Sequence, residues 1–448
     1  MHRSVFAAAL VAAAFSVGPP ARSAPPVTAL VTHSGTETQI IASVAADHDR
    51  SLKLLENLVR VNSGTMNFAG VEQVGRMLRP EFEALGFEVR WVPMTKVNRA
   101  GHLIAVHKGD GRGKRILLIG HLDTVFELDS PFQDWKRTGD TAEGPGVGDM
   151  KGGDVIIVMA LRAMQAAGTL KDADITVVLT GDEEKPGSPL SVDRADLIDA
   201  GKASDVALDF EGLAREGGRD MGSIARRSST SWTIKATATP GHSSGVCKPG
   251  VGCGAIYELA RILDEFRREL PEKNLTYNVG MVLGGSSATI NPGDTGGAAT
   301  GKPNIIASDA VARGDIRTLS AEQESRVRAH MRTIVARHLE GAKAEISFSD
   351  DGYPPMAPTE GNRALLARLN AVNASLGLPE MPAGNPANRG AGDISFVAFI
   401  DGLVGLGMAG EGSHAPGETA DLKSLDVQAK RAALLISRLA KEPRAAAK

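Results

Sequence analysis

The chain has 448 residues, 42% of them apolar and 23% charged, with a formal net charge of -3. That length exceeds one ordinary domain and suffices for a sizeable core, and the composition is that of a globular chain rather than a disordered one. The weak net charge excludes nucleic acid and an anionic membrane as expected partners and leaves a small molecule.

In chain order, residues 1–23 read as a secretory signal: Arg3 in a short basic start, an Ala-rich apolar stretch over residues 5–17, and Ala21-Arg-Ser23 as a small-residue cleavage site. The apolar stretch is too short to span a bilayer, and no later segment offers ~20 uninterrupted apolar residues. The expectation is an exported protein, periplasmic or secreted, with no membrane association in its mature form.

Amphipathic patterns over residues 49–61 and 71–85 predict helices ahead of a strand at 88–92. The run Ile116 to Ile119 is short, wholly apolar and followed by Gly120, as suits a strand buried on both faces of a parallel sheet. A helix over 154–167, a strand over 175–180 and another over 206–208 continue the alternation, which predicts an α/β fold.

The pattern changes near Ser223. Residues 231–238 alternate like a half-exposed strand, and Ile256, Leu259, Leu263, Phe266 and Leu270 form a helical stripe. Strands over 276–282 and 310–317 follow, then a helix opened by a Ser320/Gln323 capping box and a strand over 344–348. This βαββαβ order predicts an inserted α+β, ferredoxin-like body over 223–348 between catalytic parts at 36–222 and 349–448. The second part carries a helix at 363–376, a strand at 403–406 and a last helix at 426–439. Cys247 and Cys253, the two cysteines, lie in a Gly/Pro-rich loop, where a local disulfide and a pair of free thiols both remain open.

His121 and Asp123 follow the 116–119 strand, Glu183 and Glu184 follow the 175–180 strand, and Glu211 follows the 206–208 strand. Ligands of open α/β sheets bind at the carboxyl ends of strands. Asp149 sits in a glycine-rich loop before a helix, and His414 follows the strand at 403–406. Two imidazoles among several carboxylates suit zinc, with cobalt or manganese as substitutes. Two cations balance three carboxylates and a bridging hydroxide, whereas one would be overcharged. Adjacent acids such as Glu183 and Glu184 repel one another unless a cation or proton intervenes.

Six ordered motifs carry a family resemblance: Gly120-His-Leu-Asp-Thr-Val125, Gly144-Pro-Gly-Val-Gly-Asp-Met-Lys-Gly-Gly153, Gly181-Asp-Glu-Glu-Lys185, Asp209-Phe-Glu-Gly212, Pro240-Gly-His-Ser-Ser244 and Gly412-Ser-His-Ala415. They resemble the co-catalytic zinc metallopeptidases: glutamate carboxypeptidase of the carboxypeptidase G type, aminoacylase, succinyl-diaminopimelate desuccinylase and peptidase T. The resemblance implies a zinc-exopeptidase-like catalytic domain with a mostly parallel central sheet. It implies two Zn²⁺ per subunit, with Asp149 bridging, His121 and Glu211 completing one site, and Glu184 and His414 the other. It further implies Asp123 as orienter of His121 and Glu183 as general base.

By the same resemblance the insert serves as dimerisation and lid body of a homodimer. His242 reaches the partner's site to stabilise the oxyanion, Arg317 binds the substrate carboxylate, and Asn304 assists it. Asp393, in Gly390-Ala-Gly-Asp-Ile394, resembles a turn that shapes the pocket without binding metal.

Two departures stand out. Cys247-Lys-Pro-Gly-Val-Gly-Cys-Gly-Ala255 replaces the usual segment after His242, and Asp350-Asp-Gly-Tyr-Pro-Pro355 stands where glutamate-preferring relatives carry a basic residue. The expected function is a zinc-dependent exopeptidase removing a C-terminal amino acid from a short peptide or N-acyl amino acid. The alternatives are a deacylase or dipeptidase of the same family and, from another class, a non-catalytic peptide- or metal-binding protein.

Overall fold

The computed structural model describes residues 34–291 and 295–444; the expected signal segment lies outside the described residues. None of the described helices is long and apolar enough to cross a membrane.

Ten strands build a six-stranded and a four-stranded sheet: β1 Glu88–Pro93, β2 Gly101–His107, β3 Arg115–His121, β4 Asp174–Thr180, β5 Val206–Asp209, β6 Thr230–Ala238, β7 Thr276–Gly285, β8 Asp309–Arg317, β9 Ala342–Phe348 and β10 Asp401–Val404. The central six-stranded sheet runs β1-β2-β4-β3-β5-β10. Its β4, β3, β5 and β10 are mutually parallel, and β2 joins β4 antiparallel, so the sheet is mixed but mostly parallel.

Strand β3 shows why its sequence is an unbroken apolar run. Ile116 and Leu118 face a core shared with helices Lys151–Ala166 and Leu422–Leu439, whereas Leu117 and Ile119 face a second core with Leu197, Val397 and Met356. Alternate residues of a strand point to opposite faces, so two covered faces demand apolar residues at every position. The helices at the chain start also close on the first core, through Ile40, Val44, Leu55 and Leu58.

The smaller sheet, in the order β7-β8-β6-β9, is antiparallel throughout. Helices Ala255–Glu269 and Ala321–Val335 cover one face of it around Trp232, Ile234, Phe266 and Met331. Ile256 departs from the expected stripe. It is 47% exposed, and the buried face runs through Ala255, Leu259, Ile262 and Phe266 instead. The Ser320 hydroxyl caps the N–H of Gln323 as the motif predicts, but the Gln323 carboxamide accepts from Leu319 N rather than from Ser320. Cys247 and Cys253 form a disulfide.

The chain enters and leaves this smaller body along paired segments: Ser229 bridges Tyr353, and Arg226 bridges Met356. Strand β2, absent from the expectations, lies between β1 and β4. Its apolar centre, Leu103 to Val106, is flanked by His102 and His107, and each of these donates to a backbone carbonyl.

Candidate metal centre

Because β3, β4 and β5 are parallel neighbours, their carboxyl ends emerge together. His121 closes β3, Glu183 and Glu184 stand in the turn after β4, and Glu211 follows β5. Asp149 arrives from the loop that starts helix Lys151–Ala166, and His414, at φ 66°, from the segment after β10. Glycines let that loop approach: Gly146 has φ +73°, and a Cβ on Gly153 would lie 2.1 Å from Phe210 O.

These side chains form a cluster with Asp149 at its centre. His121 Nε2 lies 3.4 Å from Asp149 Oδ1 and 3.5 Å from Glu211 Oε1. His414 Nε2 lies 3.1 Å from Asp149 Oδ2 and 3.1 Å from Glu184 Oε2. Donor atoms of His121, Asp149 and Glu184 fall within 4.8 Å of one another, and so do those of His121, Glu183 and Glu211. A cavity of about 210 Å³ opens onto Asp149, Glu183, Glu211 and His414, with Arg226 and Arg389 on its wall.

The cluster is short of positive charge. Burial pushes the Glu183 carboxyl well above the usual range, reinforced by Glu211, and burial pushes Glu184 up to about 7. His414 rises to about 11 on its hydrogen bonds with Asp149 and Glu184. Burial alone would raise Glu211, but the Arg226 guanidinium, 3.0 Å away, holds it low. His121 Nε2 and Glu184 Oε1 are buried without a hydrogen-bond partner. A buried donor or acceptor left unpaired costs about 1–3 kcal/mol, so the donor set fits divalent cations, which His121, Asp149, Glu184, Glu211 and His414 would hold. Two nitrogens and several carboxylate oxygens are the ligands zinc takes.

The atoms behind the cluster are fixed. Asp123 Oδ1 is 3.3 Å from His121 Nδ1, and the carboxylate also accepts from Thr65 Oγ1 at 2.6 Å and from the N–H groups of Glu183 and Glu184. Nδ1 thereby carries the proton, which leaves Nε2 free as a ligand. Glu418, which sequence reasoning missed, accepts from Gly146 N, Gly148 N and Asp149 N at 3.1, 2.7 and 2.9 Å and pins the glycine loop. Its only signal was its position four residues beyond His414. Arg226 and Arg389 were missed as well, since neither belongs to a periodic segment or a quoted motif.

His242, Asn304 and Arg317 make their contacts inside the smaller body. Exposed His242 accepts from Ser244 N at 3.2 Å and bridges Ile305, while Asn304 O accepts from Ser243 N. Arg317 Nε donates to Asp315 Oδ2 at 3.1 Å. Within this single chain, none of these three contacts reaches the metal cluster. Asp393 lies beside the cluster without joining it, accepting from Thr180 Oγ1 and Arg194 Nε.

A family model described as peptidase family M20/M25/M40 matches residues 117–438, a span that contains every residue of the cluster. The chain belongs to that family. It is thus a hydrolase of the M20 group. It is 27% identical to carboxypeptidase G2 of Pseudomonas sp. (strain RS-16), over 97% of each chain. It is also 27% identical to succinyl-diaminopimelate desuccinylase of Acidiphilium cryptum (strain JF-5), over 83% of this chain and 94% of that one. Its M20 fold matches a tripeptidase of Staphylococcus aureus with TM-score 0.66 at 20% identity, covering 88% of this chain and 99% of that one. A Bacillus subtilis protein described as a dinuclear metal binding peptidase from the M20 family matches with TM-score 0.61 at 18% identity, covering 88% and 98%.

Proposed function

We propose that this M20 hydrolase is a metal-dependent exopeptidase that cleaves the amide bond to a C-terminal amino acid in a short peptide or N-acyl amino acid. The observation that carries the reading is the pair of buried, unpartnered ligand atoms, His121 Nε2 and Glu184 Oε1, beside the Glu183 carboxyl that lines the same cleft. His121, Asp149 and Glu211 would hold one Zn²⁺, and Asp149, Glu184 and His414 the other, with cobalt or manganese as substitutes. Bound there, the cations supply Lewis acidity that polarises the scissile carbonyl and lowers the pKa of a water toward ~7.

The chain's own groups do the rest. Glu183, held high by burial and by Glu211, takes a proton from the attacking water and returns it to the departing amine. Asp123 keeps the His121 imidazole in one tautomer and one orientation. Glu418 holds the backbone of Asp149 in place by accepting from its N–H.

The reading retains His242 as an oxyanion contact supplied by the smaller body of a second copy, and Arg317 with Asn304 as substrate contacts. Exposed Ile256, Tyr257 and Val282 on that body support pairing of two copies. The Cys247–Cys253 disulfide supports export to an oxidising compartment. A deacylase acting on N-acyl amino acids is the second reading, favoured by the desuccinylase relative at an identity equal to that of the carboxypeptidase.

The test is hydrolysis by zinc-loaded protein of peptides ending in Glu, Asp, Arg, Leu or Gly, alongside N-acyl amino acids. Release of the C-terminal residue, abolished by chelation and restored by zinc, is expected. Undiminished turnover after complete metal removal would reject the mechanism, and turnover confined to N-acyl amino acids would select the deacylase.

A further inference from the structure

One cation in the cleft is left without an ion-pair partner. Arg226 is paired with Glu211 at 3.0 Å. Arg389 has no acidic partner among the described residues: its Nη2 donates to Gly212 O at 2.7 Å, and its buried Nε has no hydrogen-bond partner. It stands where two cavities of about 210 Å³ each meet, for it lines the metal cleft and also the neighbouring cavity with Arg215, Ser223, Asn385 and Asn388. Gly212, which Arg389 holds, is the residue after Glu211. Burial and the neighbouring Arg226 disfavour its charge by more than the carboxylates of Glu211, Asp149 and Asp209, none of them paired with it, favour it.

A buried guanidinium is ordinarily paired, because its desolvation is not otherwise offset. An uncompensated one that faces a cavity is offset when a ligand brings the anion, and a planar fork matches a carboxylate in two hydrogen bonds. The cluster's own carboxylates do not serve, since they face His121, His414 and Arg226. We propose that Arg389 is a specificity-determining residue that receives a substrate carboxylate at the junction of the two cavities. This deepens the exopeptidase reading and rests on it for the reaction, but binding tests it independently of turnover. The α-carboxylate of the C-terminal residue, which the family resemblance gives to Arg317, and an acidic side chain, which would leave that role with Arg317, present the same chemistry.

Calorimetric titration of zinc-loaded full chain with L-glutamate, L-glutamine, isoglutamine and glutaminamide separates them, because none of these carries the scissile acyl bond. Arg389→Ala should weaken L-glutamate about 10–100-fold, as loss of a charge-assisted hydrogen bond does, and leave uncharged-end glutaminamide unchanged. A parallel loss with glutamine assigns the α-carboxylate, and a parallel loss with isoglutamine assigns the side chain. Arg389→Lys, which keeps charge without the fork, should recover part of the affinity. Equal loss for all four ligands, no loss for any, or a wild type that binds none at millimolar concentration overturns the proposal. Amide hydrolysis failing in the screen while these affinities hold would reject the exopeptidase reading and leave Arg389 in place.

Discussion

Two buried clusters of histidine and carboxylate lie on either side of the turn after β4, and they are settled in opposite ways. Donor atoms of His102, Asp182 and Asp193 approach one another as closely as those of His121, Asp149 and Glu184 do. The first cluster holds its own cation. Arg194, fully buried, donates from Nη1 to Asp182 and Asp193, from Nε to Asp393, and from Nη2 to Asp182 O and Tyr353 Oη, which engages all five of its N–H bonds. In the second cluster, among the described residues, Arg226 at its edge is the one arginine or lysine that pairs with a ligand carboxylate, and two ligand atoms, His121 Nε2 and Glu184 Oε1, lack hydrogen-bond partners, against one, Asp193 Oδ1, in the first. Proximity of donors therefore does not define a metal site. What defines it is the positive charge the protein withholds.

The two clusters also work together. Tyr353, where the chain re-enters from the smaller body, accepts from Arg194 and donates to Glu183 O at 3.0 Å. The closed cluster thus anchors the backbone of the residue placed as base in the open one.

The largest expected effect lies in the open cluster. Glu183→Gln removes a proton acceptor but no assigned ligand, so kcat should fall about 10²–10⁴-fold with zinc content unchanged by elemental analysis. Normal turnover would remove Glu183 from the chemistry. Next is the closed cluster, where Arg194→Met strands buried carboxylates and should cost about 3–5 kcal/mol of unfolding free energy, read by urea denaturation of chelated protein. An unaltered midpoint would show that the Asp182 and Asp193 charges are already relieved by protons.

A smaller effect is expected behind the open cluster. Asp123→Asn keeps the shape that accepts Thr65 and weakens the hold on His121 Nδ1, so zinc affinity should fall about 10–100-fold in chelator competition. Unchanged affinity would mean that the backbone carbonyl of Asp123, 3.1 Å from Nδ1, orients the ring alone.

The open cluster was far more legible in the sequence than the closed one, for physical reasons. Strands buried on both faces must be apolar at every residue, so β3, β4 and β5 announce themselves, and acids or imidazoles just past their ends stand out. Nothing periodic marks Arg194, which lies between helices Leu190–Asp193 and Ala195–Lys202 and acts through partners 12 and 199 residues away. Glu418 works through backbone N–H groups, which no side-chain pattern reveals. Ile256 was placed on the wrong helix face because an apolar residue one position from the stripe reads like a member of it.

The smallest expected effect asks whether the closed cluster is fully neutralised. Burial pushes Asp193 up to about 7, and nearby Asp182 and Asp393 add to the rise that Arg194 opposes. A carboxyl with a folded pKa above its unfolded one binds its proton more tightly when folded. The stability it contributes is therefore present below its ordinary pKa near 3.8, is lost as pH climbs toward about 7, and does not change further above that. The slope is at most about 1.4 kcal/mol per pH unit. Asp193→Asn deletes the titration while preserving the shape that accepts Gly187 N. Urea midpoints of the chelated variant should accordingly decline less than those of the wild type across that window. Parallel curves would mean that Arg194 balances Asp193 completely, and the contrast between a closed cluster and an open one would then be sharper than the geometry alone makes it.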